Sequence, residues 1–113
     1  MTNYIVYQIA ITDAEADLIN SGTTLEKYET KLDLMMPGHD HAKLAKHAML
    51  NGYYTKCGYI FDANDLEQAF MIGQTDSFSR LSPDACSVST GDLIVDTTDH
   101  SIYIVKSFGF DQI

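Results

Sequence analysis

Three times in 113 residues the chain places a hydroxyl or amide side chain three positions before a glutamate: Thr12 with Glu15, Thr23 with Glu26 and Asn64 with Glu67. In that spacing the first side chain accepts from the backbone N–H three residues on. The glutamate reaches back to the N–H of the first residue, so each pair reads as a capping box opening a helix. Stops follow close behind, at Ser21-Gly22, Pro37-Gly38 and Asn51-Gly52, because glycine and asparagine supply the left-handed residue on which helices end and proline cannot continue one. A chain punctuated this often cannot form a long-helix bundle. It must build its core from short helices laid on something else.

That something is read as a sheet. Residues 3–11, "NYIVYQIAI", alternate as a strand, with Tyr4, Val6, Gln8 and Ala10 on one face and Ile5, Tyr7, Ile9 and Ile11 on the other, expected core, side. The first capping box predicts a helix to about Asn20, and the second a helix with an apolar stripe of Leu25, Tyr28, Leu32 and Met35. Asp40 is placed to cap a third helix, "HAKLAKHAML", with Leu44, Ala45, Ala48 and Met49 as its stripe. The segment "YYTKCGYIFDA" is aromatic and β-branched, hence a strand. The third box leads into "DLEQAFMIG", where Leu66 and Phe70 share a face, and residues 74–87 are polar, contain Pro83 and read as a loop. "DLIVDT" and "SIYIVKS" form a hairpin across "TTDH", before a last extended piece, "FGFDQI". The order predicts a single α+β domain over 1–113, with a mostly antiparallel sheet of about four strands packed with three to four short helices.

Composition narrows the function classes. Sixteen acidic residues face seven basic ones, a net charge of −9. Nucleic-acid affinity comes largely from lysine and arginine on phosphates, so direct nucleic-acid binding is disfavoured and a basic protein partner is the natural counterpart. The N-terminus lacks a basic, apolar, small-residue leader pattern, and no stretch is long enough to span a bilayer. Cys57 and Cys86 are too few for a disulfide framework and sit in no metal-type spacing. Both are expected to be reduced, partly buried thiols in a cytoplasmic protein, with no cofactor implied.

Candidate sites are few. His39, His41, His47 and His100 do not form a zinc spacing: His41 and His47 fall on different helix faces, and "HDH" reads as an exposed helix start. Asp92 and Asp96 would lie roughly 13 Å apart along a strand, too far to share a cation, and Asp99 and His100 belong to a turn. Ser87, Ser89 and Cys86 lack the context of an activated nucleophile. Gly91-Asp92 reads as a turn or bulge before a strand, with Asp92 accepting from nearby backbone N–H groups. Tyr53, Tyr54 and Tyr59, on one strand, are the candidate protein-binding aromatics.

The run "DLEQAFMIG", then "SVSTGDLIVD", "YIVKSFGF" and a terminal "QI", resembles a group of small uncharacterised proteins of marine bacteriophages. The same half, about residues 59–113, resembles the YodL-like domain, which has a Ser-x-Ser-x-Gly-Asp strand start and a tyrosine strand leading into Gly-Phe; Thr90 stands where that pattern commonly has a small aliphatic residue. The resemblance implies a phage or mobile-element context and carries over no catalytic residue. The expected function is therefore a non-enzymatic phage-type accessory protein that binds a host or phage protein in the infected cell, with a homodimer through an edge strand or the tyrosine face open as well. Two alternatives stand beside it: an acidic DNA mimic that inhibits a nucleic-acid-binding enzyme, and a small enzyme using Asp92 and His100.

Overall fold

The N-terminal strand β1 (Thr2–Ile9) is the axis of the molecule. After it come α1 (Asp13–Asn20), α2 (Glu26–Met35), α3 (His41–Leu50), β2 (Tyr54–Ala63), α4 (Leu66–Ile72), β3 (Ser79–Arg80), β4 (Leu93–Asp96), β5 (Ile102–Val105) and β6 (Phe110–Gln112). The computed structural model describes residues 1–83 and 85–113, so position 84 of the expected 74–87 loop lies outside the described residues. The strands form one sheet in the order β3-β2-β1-β4-β5-β6, and every neighbouring pair is antiparallel. The α+β class holds, but the sheet has six strands rather than about four. One extra strand, β3, is a two-residue piece inside the expected loop, too short to carry an alternation. It pairs with β2 at Gly58 and Tyr59. A Cβ on Gly58 would lie 2.6 Å from the Ser79 carbonyl and collide with the Phe78 ring, so only glycine lets this edge close.

Helix starts follow the capping logic with two corrections. Thr12 caps α1 as a complete box: its hydroxyl accepts from Glu15 N at 3.1 Å, and Glu15 Oε1 accepts from Thr12 N at 3.0 Å. Asp40 caps α3 through Lys43 N at 3.1 Å. Thr23 does not cap α2. Its N–H closes the end of α1 on the Leu18 carbonyl at 2.9 Å, and α2 begins instead after Leu25 with no side-chain cap. The third cap is displaced by one residue and does not close as a box: Asp65 accepts from Gln68 N at 2.8 Å, while Gln68 Oε1 accepts from Asn64 N rather than from Asp65 N. Asp65 wins because it too is a preferred cap residue, and Gln68 stabilises the turn before it through the Asn64 N–H.

The sheet is covered on both faces, which changes the reading of β1. Tyr4 and Val6 join Ile60, Ala69, Val88, Ile94 and Val105 under α4 and the chain leading into β4. Tyr7 and Ile9 lie on the opposite side with Leu34 of α2, Ala45 and Ala48 of α3, Leu93 and Ile104. On the face expected to be outside, Tyr4, Val6 and Gln8 are buried and only Ala10 is exposed, whereas on the expected core side Ile9 is buried and Ile5, Tyr7 and Ile11 are only half-buried. Alternation between two apolar sets cannot say which side is covered when both are. The stripe of α2 is likewise displaced: Thr30 and Leu34 are its buried residues, and Leu32 and Met35 are exposed. On α3, Ala45 and Ala48 are buried as expected, while Met49 is exposed and His41 is buried at the first turn.

Candidate functional site

β1 and β4 are paired only from Tyr4 to Tyr7, ending where Tyr7 meets Leu93. Beyond that pair the two chains part. The described residues 81–83 and 85–91 lie between β3, at one edge of the sheet, and β4 on the far side of β1, past the ends of β2 and β1. The parting leaves a cavity of about 510 Å³, walled by Ile9, Ile11, Leu34, Met35 and Leu81, with Gln8 and Asp92 among its lining residues.

Gln8 holds the crossing chain in place. Its primary amide behaves like one more peptide unit of the strand: Nε2 donates to the Cys86 carbonyl at 2.8 Å, while the Cys86 N–H donates to Oε1 at 3.2 Å. The same Nε2 donates to Asp92 Oδ2 at 3.0 Å. Asp92 Oδ2 also accepts from Ser89 N at 2.9 Å. One residue earlier, Gly91 takes φ +95, a conformation glycine adopts without strain. A Cβ there would stand 3.0 Å from the Leu34 Cβ. Gly91 donates to the Val105 carbonyl at 2.8 Å, and its own carbonyl accepts from the Tyr54 hydroxyl at 2.6 Å. The turn is thus pinned from β1, β2 and β5 at once, and it presents Asp92 from below.

The electrostatics of Asp92 are unusual for a carboxyl group. It is only 8% exposed, and burial raises its pKa to about 7 against the lowering effect of the Ser89 N–H, the Gln8 amide and the charge of Lys31. Desolvation disfavours the ionised form, and two hydrogen bonds on one oxygen do not offset it. Among the described residues Asp92 makes no ion pair. Its charge is felt by its neighbours: burial first, then Asp92, raises the Tyr54 hydroxyl, and the same two causes push the Cys57 thiol up to about 12. A buried acid perturbed in this way among the residues lining a cleft makes Asp92 the candidate functional group of the chain.

The other sites expected from sequence are scattered. Tyr53 precedes β2 rather than lying on it, and stands edge-on to His47, with ring centroids 6.2 Å apart. Tyr54 is committed to Gly91. Tyr59 is five residues along, about 16 Å of strand away, stacked on Phe61 with Lys56 Nζ 5.9 Å from its ring centre. The three tyrosines therefore form no single patch. His41 is buried rather than part of an exposed helix start, and its Nε2 has no hydrogen-bond partner among the described residues. His39 and His47 sit beside one surface depression with Asp40 and Lys43, where His47 Nε2 meets Glu26 Oε1 at 2.6 Å and His39 lies 3.8 Å from Asp33. No group of three or more His, Cys, Asp or Glu among the described residues is placed to hold a metal ion. Asp92 precedes β4, whereas Asp96 ends it and His100 follows in the turn, with φ 62, so the Asp92–His100 pair is split between opposite ends of the hairpin. Cys57 is buried, but Cys86 is exposed rather than partly buried.

Sequence reasoning missed Gln8, Lys31 and Cys86 as parts of one site. Only Gln8 carried a signal, as the amide interrupting an apolar strand, and its partners lie 78 and 84 residues away. No helix among the described residues is long and apolar enough to cross a membrane. No protein family, curated protein or solved structure matches the chain.

Proposed function

We propose that the chain is a non-catalytic binding protein that engages a protein partner through the cleft at the open end of its sheet. The observation that carries this reading is Asp92, a buried acid that makes no ion pair among the described residues and lines an apolar-walled cavity. A site of that kind is incomplete by itself: its walls offer apolar area and its base offers one uncompensated group. The cleft takes part of its wall from an acidic stretch of the chain. Residues 12–40 carry seven acidic side chains and two lysines, net −5, and Lys31, Leu34 and Met35 of α2 line the cavity. Such a field draws a basic partner toward the opening. The phage-type context implied by residues 59–113 supports an accessory role in an infected host.

Neither alternative is favoured to the same degree. A DNA mimic needs carboxylates along one face, but here they are divided between the α1–α2 segment, the start of α4 at Asp65 and Glu67, and the β4–β5 turn at Asp96 and Asp99. The enzyme built on Asp92 and His100 lacks the proximity that proton transfer requires.

Selection from a random peptide library on the immobilised protein tests the proposal. Recovered peptides are expected to combine basic and apolar residues, to bind less tightly as salt rises, and to be lost on Ala10→Trp, which fills the cleft from an exposed wall position. No enrichment, or peptides that bind the Ala10→Trp protein equally well, would contradict it.

A further inference from the structure

Resting on that reading, we infer that the cleft recognises a single basic side chain of its partner, an arginine or a lysine, whose cation pairs with Asp92 while its methylene stem lies along Ile9, Ile11, Leu34 and Met35. The inference begins from the cations the chain already has. Arg80 is committed elsewhere: Nε donates to the Ala85 carbonyl at 3.1 Å, Nη2 to Ser87 Oγ at 3.4 Å, and the guanidinium sits 5.0 Å from the Phe78 ring centre. Lys56 lines the cavity, but its ammonium is drawn to the Tyr59 ring. Lys31 is half-buried on α2 and acts on Asp92 through its charge, yet forms no ion pair with it. No cation of the described chain completes the site.

The remaining groups near Asp92 leave it as the one that takes the ligand's charge. Tyr54 and Cys57 of β2 are both held neutral by burial and by Asp92 itself. Cys86 of the crossing segment and Lys31 of α2 complete the titratable lining on the other sides. β1 contributes Gln8, which donates to Asp92 and cannot neutralise it. Long basic side chains suit the cavity because their stems are apolar and only their ends need a partner. A cation that stabilises the carboxylate must, by linkage, expel the proton that burial retains. Cation binding therefore tightens as pH rises through neutrality and releases a proton below it.

The test follows the Asp92 carboxyl by carbon-detected NMR across pH 5–9, alone and with n-butylguanidinium, n-butylammonium or butyrate. Either cation is expected to lower the apparent pKa of Asp92 by about one unit, a roughly ten-fold preference for the ionised form, with butyrate inert and calorimetry registering proton release at pH 6.5. Asp92→Asn should weaken both cations at least about ten-fold. Lys31→Gln, which leaves Asp92 and its hydrogen bonds in place, should tighten both cations by removing a like charge. An Asp92 signal that neither cation moves, or a site that takes butyrate in their place, overturns the inference. If library peptides bind while the cations fail, recognition of a basic side chain is wrong and the cleft remains a binding site. If the peptides fail as well, the proposed function falls with it.

Discussion

Asp92, held by Gln8 and the Ser89 N–H, couples the stability of this protein to pH. A carboxyl whose pKa is raised on folding is bound to its proton more tightly in the native state than in the unfolded chain. Its contribution is fully present below the unfolded value of 3.8 and is lost as pH rises through about 7. The wild-type protein should therefore lose stability between pH 4 and pH 7 through this group, opposite to the usual carboxylate trend. Asp92→Asn keeps an acceptor for Gln8 and Ser89 and removes the titration. Its stability advantage over wild type should grow by about 2–3 kcal/mol between pH 5 and pH 8, read by urea unfolding at the two pH values. A constant difference across that range would contradict the assignment. Gln8→Leu is the complementary change: it removes the acceptor of the Cys86 N–H and one of the two donors to Asp92, and should cost about 2–3 kcal/mol at pH 5, measured in the same way. At the same scale, His41 places a ring nitrogen in the interior without a partner among the described residues. The sequence showed neither His41 nor Gln8 as interior, because nothing in a polar letter says whether its side chain turns in or out.

At the scale of elements, the helices were legible and their exact anchors were not. The box at Thr12 and the cap at Asp40 form as read, whereas the Thr23 signature is diverted to closing α1. That gives a paired test. Thr12→Ala should cost about 1 kcal/mol in thermal unfolding, and Thr23→Ala close to nothing; equal losses would restore Thr23 as a cap. The strands were legible where alternation ran long, in β1 and β2, and illegible where pairing depends on distant chain, as in two-residue β3. Gly58→Ala should expose that dependence: its Cβ meets the Ser79 carbonyl and the Phe78 ring, so the β2–β3 edge must open, seen as faster amide exchange at Ser79 and Leu81 than in wild type.

For the whole molecule, the α+β class and the antiparallel sheet could be read from the order of elements, but the cleft could not. It exists because the chain leaves the sheet at β3 and returns at β4 across two intervening strands, bringing residues 8–12 together with Leu34 and Met35, Leu81 and Ser82, and 89–92. No spacing rule reports a crossing of that kind. Gly91-Asp92 was visible only as turn chemistry, and the fold turns the same pair into the base of a cavity. The excess of negative charge, ambiguous as a composition, gains direction from the acidic α1–α2 segment beside the opening.

The candidate site centres on Asp92, a buried acid whose pKa is raised to about 7 in the folded protein. A pH titration of the Asp92 side-chain carboxyl carbon by NMR measures that property alone. The expected result is an inflection near pH 7. An inflection near 4, where exposed aspartates titrate, would show a solvated carboxylate and remove the basis for the cleft as a binding site.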